Sequence, residues 1–399
     1  MSLRITYVVS YYRPAFVYGG PVQSIANTCE ALARLGAEVT VLTTDANGRE
    51  RLPVPLGEPV RIDGVTVRYQ AVAGPAFYSP ALIRACRAEL PAADLAVLEV
   101  MWTPTLFAAA AACRRARVPY VVPLRGQLLP WAWSRHAWRK RAYWWLGGRR
   151  ILGRAAAVLC TDAAEAAAFG ALGLSVPRLV VPNGLALPSR WGRRPSRVRA
   201  KLGIPDAARV VLMLGRLHAK KRPQIAVEAV GRLEKDGIEV HLVLAGPGDE
   251  DTVRTLRARA REAGCADRVH LTGLLDREGV DDVLGGSDVL VMPSEQESEN
   301  FGMAAAEALA AGVPVVGSAG IPAVETAARH GAGRCVPPEA ASVAAAIAEI
   351  VRDPARLREM SAAARGVAES EFDVRRNAER LLDAYGVLAG RGDRSVVKP

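Results

Sequence analysis

Short apolar runs alternate with alanine- and leucine-rich stretches along most of the chain, and this alternation limits the fold more than any other feature. Residues 5–10 form an apolar run, residues 22–35 follow with helical spacing and a glycine cap at Gly36, and residues 39–43 form a second run. Strands that are apolar throughout and separated by helices are typical of a parallel sheet covered on both faces. The sequence therefore predicts an α/β fold.

The alternation occurs in two series separated by a break. Further strands of the first series are predicted at residues 65–69, 95–99, 120–123, 157–160 and 179–181. The break begins at Pro182 and runs to about Lys201 through a stretch rich in proline, arginine and serine, which is typical of a connection between domains. Strands of the second series are predicted at residues 210–214, 240–245, 269–271, 289–292 and 313–316, with helices such as 225–236 and 303–311 between them.

Two series predict two domains, and the length agrees. The 399 residues support two hydrophobic cores at roughly 100 to 200 residues per domain. We predict two doubly wound, Rossmann-like domains facing a cleft, the first over residues 1–185 and the second over 186–372, followed by a C-terminal segment over 373–399 that ends in a disordered tail from Gly390. Ligands of such domains bind beyond the carboxyl ends of the strands.

The cysteines and the apolar runs limit the location of the protein. The six cysteines are widely spread and include no Cys-x-x-Cys pair, so the sequence shows neither a zinc site nor a disulfide framework. The first apolar run ends at Ser10 and is too short for a signal segment, and no run reaches the ~18 residues of a membrane-spanning helix. We expect a cytoplasmic protein, soluble or bound at the inner face of the membrane.

The excess positive charge lies in the first half of the chain. Residues 1–190 contain 22 Lys and Arg against 11 Asp and Glu, whereas residues 191–399 contain 30 of each. No acidic residue lies between Glu99 and Asp162, a gap that holds eleven basic residues and six of the seven tryptophans. Basic residues interleaved with tryptophan suit an anionic lipid surface, because indole rings lie at the depth of the headgroups.

Two other interpretations of this basic segment stay open. Its tryptophans would pack in the core and its arginines would be solvated if the helices serve only their own fold. Nucleic acid would be attracted by the same charge, but no recognised nucleic-acid-binding module accompanies it. We therefore expect no nucleic-acid partner.

Glycine-rich or basic turns follow several predicted strands. Gly19 and Gly20 precede a helix whose amino terminus favours an anion, although most turns of this kind serve geometry alone. Residues 215–222, GRLHAKKR, place Arg216 and Lys221 five residues apart at a turn between a strand and a helix, so that both can converge on one anion such as a diphosphate. A solvated basic turn is the alternative for this second motif.

The most informative turn covers residues 293–302, PSEQESENFG, and a predicted helix carrying Glu307 follows it. Glu299 lies just before this helix and Glu307 about two turns along it, a separation of roughly 12 Å at about 1.5 Å per residue. That separation is comparable to the span from a hexose to a ribose across a diphosphate. We predict that the two carboxylates bind the sugars while the amides of Phe301, Gly302 and Met303 at the start of the helix bind the phosphates between them. Asn300 is counted with Phe301 and Gly302 among the donor-binding residues.

These motifs together resemble the retaining nucleotide-sugar glycosyltransferases of family 4, which have the GT-B fold. The specific part of the likeness is the Glu-x7-Glu of Glu299 and Glu307, together with residues 215–221 and the sequence EALAAGVPVV over residues 307–316. Looser agreement at the Gly19-Gly20 pair and at residues 35–43 and 181–184 extends the resemblance over nearly the whole chain.

The resemblance implies a role for each domain and for each motif. The first domain would bind the acceptor and the second the nucleotide sugar, and a helix near residues 374–388 would cross back to the first domain. Arg216 and Lys221 would contact the donor diphosphate, and Glu307 the ribose hydroxyls. Glu299 would contact the transferred sugar, which makes Arg216, Lys221 and Glu299 the expected catalytic group.

Departures from the family pattern limit the transfer of roles. Many relatives carry a histidine where this chain has Arg125, and a permanently charged guanidinium there would instead engage the donor phosphate or an anionic acceptor. Residues 125–132 resemble a subgroup of surface-polysaccharide enzymes. Arg222 stands where a glycine is common and Ala37 where a histidine is common, and neither position receives a role.

We expect the enzyme to transfer a hexose from a nucleotide sugar to an acceptor hydroxyl with retention of configuration. UDP is the expected carrier, with GDP as the alternative, and the expected acceptor is a lipid-linked saccharide in polysaccharide or glycolipid assembly, with a soluble small molecule as the alternative. Retention through a covalent intermediate needs two carboxylates about 5 Å apart. Glu299 and Glu307 are predicted to be farther apart, which favours a front-face displacement in which the departing diphosphate takes the proton of the acceptor.

No Asp-x-Asp motif lies beside Glu299 and Glu307, so no metal is expected, nor any cofactor beyond the donor substrate. Three other functions stay open at this point. A sugar-nucleotide epimerase would share the architecture and the donor, a phosphorylase would use free phosphate as its acceptor, and a basic scaffold without catalysis would bind lipid or nucleic acid alone.

Overall fold

The structure is a computed structural model, and it describes residues 2–134, 136–188, 191–192, 194–295 and 299–391. Arg135 of the basic segment, residues 296–298 of the glutamate-rich turn and the predicted tail from residue 392 lie outside the described residues. The chain divides into two compact units, one formed by residues 1–186 with the segment that begins at Val374, the other by residues 187–373.

The first unit is built on a largely parallel sheet. Its strands in chain order are β1 Arg4–Val9, β2 Glu38–Thr44, β3 Ala46–Asn47, β4 Glu50–Arg51, β5 Pro59–Ile62, β6 Val65–Gln70, β7 Leu95–Glu99, β8 Tyr120–Pro123, β9 Ala157–Cys160 and β10 Arg178–Val180. β3 and β4 form a separate antiparallel pair, and the others form one sheet in the order β10-β9-β8-β7-β1-β2-β6-β5. Only its edge strand β5 runs antiparallel to its neighbour.

The second unit is built on a parallel sheet of six strands. They are β11 Arg209–Leu214, β12 Val240–Ala245, β13 Val269–Gly273, β14 Val289–Met292, β15 Val315–Gly317 and β16 Gly333–Cys335. Their order is β13-β12-β11-β14-β15-β16. Two doubly wound sheets, one in each unit, confirm the predicted fold class.

Helices connect the strands of both sheets. In chain order they are α1 Gly20–Arg34, α2 Pro80–Glu89, α3 Pro104–Ala116, α4 Pro130–Ser134, α5 Ala137–Tyr143, α6 Arg149–Leu152, α7 Ala163–Gly170, α8 Arg197–Lys201, α9 Pro223–Lys235, α10 Glu250–Glu262, α11 Arg277–Gly285, α12 Met303–Ala310, α13 Pro322–Arg329, α14 Ala340–Val351, α15 Pro354–Val367 and α16 Val374–Leu388. A π-helical turn, Trp144–Gly148, joins α5 to α6. Within the described residues, no helix is both long and apolar enough to cross a membrane.

Burial of both faces explains why central strands of the first sheet such as β7 and β8 are apolar almost throughout. One face of its sheet packs against α1 and α16, with Ile5 and Tyr385 in the same core. The other face packs against α2 and α3, with Leu98 and Leu106 in a second core. A strand that alternated polar and apolar residues would leave one of these cores incomplete.

The C-terminal helix α16 belongs to the first unit because its start is fixed there. The Val374 amide donates to the Leu185 carbonyl oxygen at 2.9 Å, and Asn377 Nδ2 donates to the Pro182 carbonyl oxygen at 3.1 Å. A Cβ atom at Gly184 would lie 2.7 Å from Val374 Cα. Gly184 is therefore required for the close approach of the start of α16 to this loop.

A histidine pair lies on the second sheet. His241 of β12 is buried and stacks on His270 of β13 at 5.2 Å between ring centroids, with 2.9 Å between Nδ1 of His241 and Nε2 of His270. Burial lowers the pKa of both rings, and the nearby Arg268 charge adds to the effect. The pair is therefore neutral at neutral pH.

Both sheets contain a topological switch point, where consecutive connections leave a strand in opposite directions. It lies between β1 and β7 in the first sheet and between β11 and β14 in the second. The connections diverge there and leave a crevice at the carboxyl ends of the strands, where doubly wound proteins bind ligands. The predicted motifs follow β1, β11 and β14, so the topology places them at these two crevices.

Candidate active site

The turn after β11 begins with an unusually close approach between two backbone segments. A Cβ atom at Gly246, after the neighbouring strand β12, would lie 2.0 Å from the Gly215 carbonyl oxygen. The Gly215 amide donates to the Ala245 carbonyl oxygen at 2.8 Å, and the Leu217 amide donates to the Pro247 carbonyl oxygen at 2.8 Å. These contacts fix the start of the basic turn and leave the Arg216 side chain exposed.

The turns after β11 and β14 are joined to each other across the switch point. The Glu295 amide donates to the Lys220 carbonyl oxygen at 2.9 Å, and Arg222 Nη2 lies 3.3 Å from Glu295 Oε1. Arg222 itself has a φ of 52°, in the left-handed region that favours glycine. A residue with a side chain thus stands in a strained conformation next to Lys221.

Lys221 and Glu299 form an ion pair at this switch point. The Lys221 ammonium contacts Glu299 Oε1, and their side chains are 27% and 10% exposed. The Ser294 hydroxyl also donates to Glu299 Oε1, at 3.3 Å. Burial, helped by the charge of Arg216, lowers the pKa of Lys221 to about 8, and the paired carboxylate opposes this by favouring the charged amine.

The start of α12 combines a buried aromatic anchor with a glycine. Phe301 is buried and packs edge to face on Phe372, with 5.4 Å between ring centroids. Gly302 caps the helix with a φ of 87°, without a side-chain hydrogen bond, and a Cβ atom there would lie 2.7 Å from Ile321 Cγ2. Among the described side chains, the Asn300 Oδ1 atom is buried without a hydrogen-bond partner. The Phe301 side chain therefore has a packing role, and any contact that Phe301 makes with a ligand must come from its backbone.

Glu307 pairs with a residue that the sequence analysis missed. Arg277 Nη1 donates to Glu307 Oε1 at 2.7 Å, and Arg277 Nη2 donates to Asp281 Oδ1 at 2.6 Å. Burial raises the pKa of Glu307, while the Arg277 charge acts in the opposite direction. Arg277 is the first residue of α11 and stands 30 positions from Glu307, where no local pattern in the sequence indicates the pairing.

In the first unit, Gly19 and Gly20 follow β1 as predicted and form the start of α1. Gly19 is exposed and caps the helix with a φ of 73°, and a Cβ atom there would meet no other atom within 4 Å. The glycine is therefore required by its backbone conformation rather than by crowding.

Arg125 is held by internal partners at the carboxyl ends of β7 and β8. Its Nε and Nη2 atoms donate to the two carboxylate oxygens of Glu99 at 2.5 and 2.7 Å. Its Nη1 atom donates to Asn183 Oδ1 at 2.7 Å and to Ser24 Oγ at 3.2 Å. Burial opposes the Arg125 charge, but the Glu99 carboxylate raises the pKa of the guanidinium above its ordinary value.

The internal partners of Arg125 already occupy the guanidinium that was expected to bind the donor phosphate or an anionic acceptor. Four of its contacts join the ends of β7 and β8, helix α1 and the loop after β10, so Arg125 holds the ligand loops of the first unit together. Glu99 was missed as a site residue, although its place as the one charged residue at the end of an apolar strand was a usable signal. Whether the donor or an acceptor also contacts Arg125 stays a prediction.

The residues of the second unit form a candidate anion site with carboxylates beside it. Lys221, the neighbouring charge of Arg216 and the uncapped start of α12 offer positive potential at a switch point. Glu299 and Glu307 offer acceptors for hydroxyl groups. A site of this composition suits a ligand with an anionic centre and hydroxyl-bearing ends, and two doubly wound units with such a site are typical of GT-B enzymes.

Comparison with known proteins agrees with this class. Residues 19–184 match the family described as Glycosyl transferase 4-like domain, and residues 196–367 match the family described as Glycosyl transferases group 1. The two matches together cover most of the chain, which therefore belongs to the glycosyltransferases that these two models describe, as the resemblance of its motifs implied.

Curated relatives are similar over part of their length. A D-inositol 3-phosphate glycosyltransferase of Thermobispora bispora is 33% identical over 207 residues, which are 50% of this chain and 47% of the relative. A GDP-mannose-dependent alpha-(1-6)-phosphatidylinositol dimannoside mannosyltransferase of Mycobacterium tuberculosis is 30% identical over 66% of this chain and 65% of the relative. The chain thus spans about half the length of the first of these relatives.

Solved structures share the fold over nearly the whole chain. Sucrose-phosphate synthase from Thermosynechococcus elongatus superposes with a TM-score of 0.74 at 21% identity, over 97% of this chain and 99% of the other. HepE from Anabaena in complex with UDP and glucose superposes with a TM-score of 0.70 at 21% identity, over 96% of this chain and 100% of the other. At this identity the likeness concerns the fold.

Proposed function

We propose that the protein transfers a hexose from a nucleoside diphosphate sugar to an acceptor hydroxyl with retention of anomeric configuration. The observation that carries the proposal is the partly buried Lys221–Glu299 ion pair at the switch point between β11 and β14. A lysine and a carboxylate at that crevice supply the two kinds of contact that a nucleotide sugar needs, one for its phosphates and one for its hydroxyls.

The cations act on the leaving group. When the bond between the anomeric carbon and the diphosphate oxygen breaks, negative charge develops on that oxygen, and Lys221 with Arg216 stabilises it. The acceptor oxygen forms its bond to the same face of the anomeric carbon. Its proton passes to the departing diphosphate, so the step needs no protein base.

Glu299 has two tasks in this scheme. In the free protein it keeps Lys221 paired and oriented, because the carboxylate is only 10% exposed and contacts the ammonium directly. With donor bound, the phosphates share the lysine, and the carboxylate accepts hydrogen bonds from hydroxyls of the transferred sugar. Glu307, on the second turn of α12, accepts hydrogen bonds from the ribose.

The donor is proposed to be UDP-linked, with GDP as the alternative. HepE from Anabaena was solved with UDP-glucose, whereas the mannosyltransferase of M. tuberculosis is named as dependent on GDP-mannose. The Lys221–Glu299 pair addresses the diphosphate and the sugar, which both donors contain, so the base is left to a direct test.

The acceptor is proposed to be a lipid-linked saccharide, used in polysaccharide or glycolipid assembly at a membrane surface. The basic, tryptophan-rich segment of the first unit supports this choice. Among the structural relatives, WaaG takes part in lipopolysaccharide biosynthesis, and the M. tuberculosis mannosyltransferase is named for a phosphatidylinositol glycolipid. A soluble acceptor is the alternative outcome of the test.

A panel of nucleotide sugars tests the proposal. UDP- and GDP-linked hexoses are first compared by the rise in melting temperature of the protein, and the stabilising donor is then incubated with lipid-linked and soluble saccharides. We expect one donor to stabilise the fold and to yield a product with the donor's anomeric configuration, with turnover that survives a chelator. Stabilisation by none of the donors, or turnover that needs added magnesium, would contradict the proposal.

A further inference from the structure

Three of the four most exposed large apolar side chains of the described chain lie in the basic segment, and the fourth is Leu274 of the second unit. Trp145 is 82% exposed, Leu146 81% and Trp138 71%. Trp138 lies in α5, and the other two lie in the π-helical turn that continues it. We call Trp138, Trp145 and Leu146 the apolar tip. Large apolar side chains clustered at the surface mark a binding surface.

The inner face of the same helix is packed, so the exposure of the tip does not come from a loose segment. The Trp133 ring makes edge-to-face contacts with Trp102 and Trp144, each at 5.2 Å between centroids. The Tyr143 hydroxyl donates to the Thr103 carbonyl oxygen at 3.0 Å, and its ring packs on Phe107 at 4.7 Å. Each interpretation of the tryptophans therefore holds for a different set. Trp102, Trp133 and Trp144 pack against one another, whereas Trp138 and Trp145 face outward.

The outward set follows a segment that changes from α-helical to π-helical geometry. Trp138 lies in α5 and Trp145 lies seven residues further on, in the π-helical turn, and both side chains are exposed. Arg141, one turn from Trp138, is exposed between them. The guanidinium of Arg139 lies 5.2 Å from the centre of the Trp138 ring.

The segment that carries the tip is basic and contains no acidic residue between Glu99 and Asp162. Arg149 and Arg150 are exposed in the helix that follows the tip. A second copy of the chain is a poor occupant, because a symmetric contact would bring these arginines against each other. An anionic bilayer offers both complementary charge and a depth at which indole rings are stable.

We propose that the apolar tip inserts into the interface of an anionic bilayer, with the surrounding arginines on the lipid headgroups. The binding itself is independent of the transferase reaction, and only its purpose, the presentation of the active site to a lipid-linked acceptor, rests on the proposed function. The tip therefore acts as the membrane-binding element of the first unit.

Vesicle binding of the full chain tests the proposal. Co-sedimentation is measured with vesicles of phosphatidylcholine alone and of phosphatidylcholine with phosphatidylglycerol. We expect binding to the anionic vesicles, weakened by salt, and a loss of about tenfold or more when Trp138, Trp145 and Leu146 are all replaced by alanine, because the apolar area that enters the interface is removed. The control is Leu56→Ala, which truncates an exposed apolar residue outside the segment and is expected to bind as the wild type does.

Depth and fold are measured in the same preparations. Lipids brominated near the headgroup should quench the tryptophan emission of the wild type more than that of the Trp145→Ala variant. Circular dichroism of each variant checks that the fold is retained. If the triple variant does not fold, the single variants Trp145→Ala and Leu146→Ala carry the test, each with an expected loss of severalfold.

The outcomes separate this inference from the proposed function. Transfer from a nucleotide sugar without any vesicle binding would overturn the membrane role and leave the enzyme intact. Vesicle binding that depends on the tip, in a chain that no nucleotide sugar stabilises, would support the tip and contradict the transferase. Wild-type binding by folded tip variants, or a dimer in sedimentation analysis that the variants convert to monomer without any vesicle binding, would overturn the inference.

Discussion

The substitution Lys221→Met removes the charge at the switch point and keeps most of the side-chain volume. In the proposed transition state the ammonium makes charge-assisted hydrogen bonds to the departing diphosphate, each contributing about 1.5–3 kcal/mol. Loss of two such contacts raises the barrier by about 3–6 kcal/mol, which corresponds to a fall in kcat/KM of about 10² to 10⁴. The variant also leaves Glu299, only 10% exposed, without its ammonium partner beside the phosphates.

The assay is initial-rate transfer with the stabilising donor, and Lys220→Met is the matched control. Lys220 is the neighbouring lysine with an exposed side chain, and its loss should change kcat/KM by less than threefold. Because the unpaired Glu299 carboxylate repels the donor in the single variant, Lys221→Met with Glu299→Gln should bind donor more tightly than Lys221→Met alone. Turnover within threefold of wild type in folded Lys221→Met would refute the assigned role.

The lowered pKa of Lys221 gives the same residue a pH signature. The amine is charged below its pKa of about 8 and neutral above it. If the charged amine binds the diphosphate, kcat/KM of the wild type falls as the pH rises through about 8. Lys221→Met should lack this basic limb, and a wild-type profile that stays flat to pH 10 would contradict the assignment.

Three further predictions concern neighbouring elements. Arg222→Gly should be more stable to urea than Arg222→Ala by about 1 kcal/mol, because both lose the ion pair but only glycine relieves the left-handed backbone; equal stabilities would count against strain. Arg277→Met should move the acid limb of the kcat/KM profile to higher pH, because the pKa of Glu307 rises without its cation. Asp281→Asn should move that limb to lower pH, because the Asp281 charge raises the pKa of Glu307. An acid limb that moves in neither variant would exclude Glu307 from donor binding. Because folding lowers the pKa of both histidines, their contribution to the free energy of unfolding is fully present above about pH 6.5 and is lost as the pH falls. In urea titrations at several pH values, His270→Gln should lose less stability than the wild type as the pH falls. The same dependence of stability on pH in both proteins would contradict this.

The strands were accessible from sequence because burial leaves a local signal. Residues 95–99, 120–123 and 240–245 are apolar almost throughout, and the structure has strands at those residues. The edge strand Pro59–Ile62 was missed because it has a proline and alternating polar residues, and an edge strand needs only one paired side. The strand Gly333–Cys335 was missed because its three residues carry no apolar run.

The site was accessible where its residues lie in one turn and hidden where they meet through the fold. Arg216, Lys221 and Glu299 stand at strand ends, so the topology alone places them near one another. The pairing of Glu307 with Arg277 depends on the fold, which brings the first residue of α11 within reach of a side chain of α12. Similarly, the internal partners of Arg125 come from three distant segments, so a charge count could not show that its guanidinium is already engaged.

The position of the donor tests the central claim most directly. In a crystal structure with the stabilising nucleotide sugar, we predict diphosphate oxygens within hydrogen-bonding distance, about 2.7–3.2 Å, of Lys221 Nζ and of the backbone amides at the start of α12. Glu299 should then face the hexose and Glu307 the ribose. A donor bound away from Lys221, with the Lys221–Glu299 pair unchanged, would contradict the account.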